Sequence, residues 1–106
     1  MSQEKELEIR RQFLDEAQEY LDPLDAAIVG ISGNRADTQK INAALRAAHS
    51  IKGGAAMMGF AQLSQLAHRL EDFLKVLKVQ RLPEITAHLE ARLLEAVNGL
   101  RSTIQQ

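Results

Sequence analysis

A chain of 106 residues with 13 Lys+Arg against 14 Asp+Glu, a net charge of -1 and no cysteine is one domain, with room for a core of three or four packed elements. The balanced charge argues against nucleic acid as a partner, and the missing cysteine excludes a disulfide framework, a thiol nucleophile and a Cys-based zinc site. The opening MSQEKELEIRRQF is too charged for a signal peptide and no run nears the roughly 18 apolar residues of a membrane span, so a cytoplasmic chain without membrane contact is expected.

Abundant Ala, Leu, Glu, Gln and Arg, with only two prolines and no alternating β-branched run, predict an all-α fold. The first helix covers about 4–29, where Leu7, Leu14, Ala17, Leu21, Leu24 and Ile28 recur at three- and four-residue steps. Pro23 falls inside that stripe and predicts a kink, or else two shorter helices. Gly30, Ser32, Gly33 and Asn34 compose a turn. Asp37 is the expected N-cap of a second helix over 37–58, with Ile41, Ala44, Ala48, Ile51, Ala55 and Met58 facing inward. Gly59 and Phe60 end it. A third helix over 61–80 carries Leu63, Leu66, Ala67, Leu70, Phe73, Leu74 and Leu77 on its apolar side. Pro83 and Glu84 open a fourth over 83–104, with Ile85, Leu89, Leu93, Ala96, Val97 and Leu100 buried. Four amphipathic helices with short turns predict an antiparallel four-helix bundle over residues 1–106.

Two glycines interrupt the second helix at a cost of roughly 0.5–1 kcal/mol each against alanine. At about 100° per residue, His49 lies well away from the apolar face, with Lys52 and Gly53 one turn further on. A residue without a side chain at Gly53 leaves open surface beside the imidazole, while Gly54 points elsewhere, toward close packing with a neighbouring helix. The third helix has a polar edge of Ser64, His68, Glu71, Lys75 and Lys78. In an antiparallel hairpin Glu71 reaches the height of His49. A carboxylate bonded to one imidazole nitrogen leaves the other with a free lone pair, the arrangement a nucleophilic histidine needs. Lys52 then offers positive charge to a transferred anionic group.

Blander readings stand beside these. His49 also reads as an ordinary solvated surface residue, His68 and Glu71 as an i, i+3 surface pair of small weight, and the molecule as a non-catalytic helical interaction module. A metal-binding bundle is disfavoured, because no Glu-x-x-His pair recurs on two helices. No glycine pattern for nucleotide phosphates occurs.

His49-Ser50-Ile51-Lys52-Gly53-Gly54-Ala55 resembles the His-x-x-Lys-Gly motif of histidine-containing phosphotransfer domains. With Gly59-Phe60 and Leu66-Ala67-His68-Arg69-Leu70-Glu71, the run looks most like the N-terminal phosphotransfer domain of CheA-type chemotaxis histidine kinases. The resemblance implies a helical bundle, in such kinases often with an additional helix after the fourth. Because the chain ends near the fourth helix, it implies either a trimmed segment of such a kinase or a shorter stand-alone relay domain. It implies that His49 is phosphorylated, that Glu71 orients its ring, that Lys52 lies near the phosphoryl oxygens, that His68 joins the same polar network, and that Gly53 keeps access for partners. It further implies that a histidine kinase catalytic domain and a response-regulator receiver are the partners. ATP and magnesium then belong to those partners, and this domain holds no cofactor or metal.

Overall fold

The computed structural model describes residues 2–29, 31, 37–79 and 86–105. Helix α1 spans Gln3–Ile28. Ser2 starts it: its hydroxyl accepts the Lys5 amide at 3.2 Å, satisfying one of the first-turn donors that has no intrahelical partner. Pro23 lies inside α1 without dividing it. The proline costs roughly 3 kcal/mol in a helix interior, but Leu21, Leu24, Ala27 and Ile28 around it are buried, and each large apolar side chain returns about 1.5–3 kcal/mol. Packing decides for one helix.

The buried part of α1 is shorter than its apolar stripe. Residues 2–12 are all exposed, and Leu7, expected inward, is 59% exposed. The reason is length: the molecule extends 53 Å, whereas α2 has 21 residues and rises about 31 Å at 1.5 Å per residue. Arg10 lies over the Phe60 ring at 5.9 Å, which puts the α2–α3 turn opposite residue 10. The turns before it run past the end of the bundle.

Helix α2 spans Thr38–Met58, and Asp37 caps it as expected, its Oδ1 accepting the amides of Gln39 and Lys40 at 2.9 and 3.2 Å. The expected turn residues Gly30, Ser32, Gly33 and Asn34 lie outside the described residues. Helix α2 stops at Gly59, whose φ of 81° is left-handed and suits a residue without Cβ. The Phe60 amide then reaches back to the Ala55 carbonyl at 2.8 Å and the Gly59 amide to that of Ala56 at 3.2 Å, which closes the helix end and turns the chain. Helix α3, Ala61–Val79, follows at once. Helix α4, Ala87–Ile104, begins later than expected, because Thr86 is extended and its hydroxyl accepts the Leu89 amide at 3.1 Å. Pro83, Glu84 and Ile85 lie outside the described residues.

Helix α2 packs on α1 and α3, and α4 closes the ring against α1 and α3, giving the antiparallel four-helix bundle. Its core includes Leu24, Ile28, Ile41, Ile51, Leu63, Leu70, Leu74, Leu93 and Leu100. Phe73 was expected inside and is 51% exposed. It lines an open groove of about 520 Å³ between α3 and α4, with Leu66 and Leu89.

Candidate functional site

The tight α2–α3 hairpin decides which side chains meet. His49 lies ten residues before Gly59 and Glu71 eleven after Phe60, so two helices of equal pitch bring them to one level. His49 Nδ1 is 2.9 Å from Glu71 Oε2, and Lys52 Nζ donates to Glu71 Oε1 at 2.6 Å. Each carboxylate oxygen has its own partner. Glu71 is the one buried charged side chain among the described residues, whereas the His49 side chain is 69% exposed and that of Lys52 27%.

Burial pushes the Glu71 carboxyl upward, but hydrogen bonds from Lys52 and His49, with the charges of Lys52 and Lys75, outweigh it and hold the group below its ordinary value. Glu71 is therefore ionised near neutral pH and only accepts hydrogen bonds. The proton between it and the imidazole then sits on His49 Nδ1. In the neutral ring Nε2 carries the lone pair, on the side away from the buried carboxylate and toward solvent.

His68 stands apart from this arrangement. Its Nε2 faces Asp72 Oδ2 at 3.7 Å, with both side chains exposed, and no hydrogen bond or ion pair joins it to Glu71 or Lys52 among the described residues. Lys52, for its part, spends its ammonium group on Glu71.

The two glycines differ as their wheel positions suggest. A Cβ on Gly53 would meet nothing within 4 Å, whereas one on Gly54 would lie 2.3 Å from the Phe13 ring. Gly54 thus lets α1 and α2 approach, and Phe13 is held there by stacking on Phe60, centroids 6.2 Å apart. Gly53 has no such packing reason, and the surface beside His49 is bare. Sequence reasoning missed Phe13 and Asp72, and it placed Ser64 on the polar edge without its partner. The Ser64 hydroxyl donates to the Lys52 carbonyl at 3.0 Å.

The family model described as Hpt domain matches residues 8–103. The chain belongs to the Hpt domain family. Among solved structures, this Hpt domain is similar to the CheA phosphotransferase domain from Thermotoga maritima, with a TM-score of 0.78 and 30% identity over 99% of this chain and 96% of that one. It is 44% identical to chemotaxis protein CheA of Klebsiella aerogenes over 62 residues, 58% of this chain and 10% of that protein. To chemotaxis protein CheA of Bacillus subtilis it is 31% identical over 93 residues, 88% of this chain and 14% of that protein. The Hpt chain thus spans only about a tenth to a seventh of the length of these relatives. No group of three or more His, Cys, Asp or Glu side chains among the described residues is arranged to hold a metal ion. No described helix is long and apolar enough to cross a membrane.

Proposed function

We propose that this Hpt domain is a phosphoryl carrier of two-component signalling, with His49 as the carrier residue, in a parent protein of the CheA type. The observation that carries the reading is the divided imidazole, with Nδ1 tied to buried Glu71 in a side chain that is otherwise 69% exposed. A histidine kinase catalytic domain brings ATP and magnesium, and this domain contributes the nucleophile.

The Nε2 lone pair attacks the γ-phosphorus. The P–N bond forms as the bond to the ADP oxygen breaks, and ADP leaves with the electron pair. No proton has to leave Nε2, so no general base is required. The ring becomes positive as it accepts the phosphoryl group, and the Glu71 carboxylate on its Nδ1–H stabilises that charge. Lys52 keeps Glu71 ionised, and Gly53 gives both partners clearance. In the second step an aspartate oxygen of a response-regulator receiver attacks phosphorus, the P–N bond breaks and the neutral imidazole is restored. A cytoplasmic location suits both partners.

The test is labelling with radioactive ATP and a CheA-type kinase core. The wild-type chain takes up acid-labile label, His49→Gln takes up none, and a receiver with magnesium removes it. Label that persists in His49→Gln overturns the reading. A constitutive oligomer that never acquires label would favour an interaction module instead.

A further inference from the structure

Lys52 is held at both ends, and both holds come from α3. Its ammonium group donates to Glu71 Oε1 at 2.6 Å, and its backbone carbonyl accepts from the Ser64 hydroxyl at 3.0 Å. Ser64 and Glu71 are two helical turns apart, so the seam is a short row of hydrogen bonds along one edge of α3.

A serine in a helix commonly points to solvent or bonds back to the carbonyl four residues earlier. Thr103 does the latter in α4, donating to the Gly99 carbonyl at 2.9 Å. Ser64 instead crosses to α2. Its acceptor belongs to the peptide that joins Lys52 to Gly53, where two successive glycines make the α2 backbone freest. That point is one turn from His49.

Stability alone explains this contact poorly. A carbonyl has two lone pairs, and the regular α-helical pattern across Thr38–Met58 pairs the Lys52 carbonyl with the amide four residues on. Removing the Ser64 hydroxyl therefore strands no buried group.

We infer that Ser64 is a positioning residue for phosphotransfer. By pinning the Lys52–Gly53 peptide to α3, it sets the register of α2 against α3 and so keeps the His49 ring and the Lys52 ammonium on one carboxylate. The inference rests on the phosphotransfer reading of His49. It has a readout that does not need the reaction, the protonation pattern of the His49 ring nitrogens.

The experiment uses the whole chain, labelled with ¹⁵N, as wild type, Ser64→Ala and Ser64→Thr. Two-bond proton–nitrogen correlations at pH 8 report the tautomer, and a kinase core with ATP reports the rate. In the wild type the neutral His49 ring carries its proton on Nδ1. Ser64→Ala shifts the ring toward a mixture of tautomers and lowers the saturated phosphorylation rate roughly threefold to tenfold, the worth of one net hydrogen bond, with KM for the domain unchanged. Ser64→Thr, which keeps a hydroxyl, restores both. A Ser64→Ala domain with the wild-type tautomer and rate, whatever its melting temperature, overturns the inference. If the wild type takes no phosphoryl group at His49 while Ser64→Ala still changes the tautomer, the phosphotransfer reading falls and the positioning of the ring stands.

Discussion

Glu71 serves two donors with two oxygens, and its chemistry follows from where it sits. In Glu71→Gln the amide competes through its own N–H groups, the preference for Nδ1–H weakens, and phosphorylation of His49 slows by at least about 10-fold, on the scale of carboxylates that orient metal-bound histidines. A rate within twofold of wild type would show that the carboxylate does not orient the ring. Because the folded-state pKa of Glu71 lies below its ordinary value near 4.5, the carboxylate stabilises the fold fully above that value, and the contribution is lost as pH falls through the depressed folded value. Thermal unfolding against pH checks the sign: Glu71→Gln flattens that part of the acid limb. In Lys52→Met the carboxyl loses its nearest charge, so its titration, followed by ¹³C NMR, moves upward.

At the scale of the helix, the adjacent glycines are expected to respond in opposite ways. Gly53→Ala meets open space and gains about 1 kcal/mol of helix propensity, while a bulky residue such as Gly53→Leu also folds but slows transfer from kinase and to receiver. Gly54→Ala drives a methyl into Phe13 and displaces it from its stack on Phe60, at an overpacking cost of about 1–3 kcal/mol that exceeds the propensity gain. Thermal melts of the two alanine variants separate these roles: higher for Gly53→Ala, lower for Gly54→Ala. Equal shifts would contradict the assignment. The contrast was legible in the sequence as far as direction goes, because the wheel separates Gly53 from Gly54 by 100°. It did not show that Phe13, on another helix, fills the space, since contacts between helices depend on their crossing and offset.

For the whole molecule, periodicity and turn chemistry carried most of the fold. Asp37 and the Gly59 stop are local signals, and local signals read well from a chain. The errors lie where a helix outruns its partners or a side chain has a choice. Leu7 repeats in register with the core stripe yet finds no helix opposite, and Phe73 sits at the rim of the α3–α4 groove. His68 matches the family pattern beside Glu71, but its exposed ring faces Asp72 at 3.7 Å instead. His49, Lys52 and Glu71 were legible as a group because a short hairpin leaves little freedom in which residues face each other. Ser64 was legible only as a polar residue on the right edge, since a hydroxyl has several acceptors within reach. In the proposed phosphotransfer, Glu71 reserves Nε2 of His49 for chemistry. The most direct measurement is two-bond ¹H–¹⁵N NMR of the domain phosphorylated by a kinase core, which identifies the ring nitrogen bonded to phosphorus. The expected result is phosphoryl on Nε2 of His49; phosphoryl on Nδ1 or on any other residue rules out that role for Glu71.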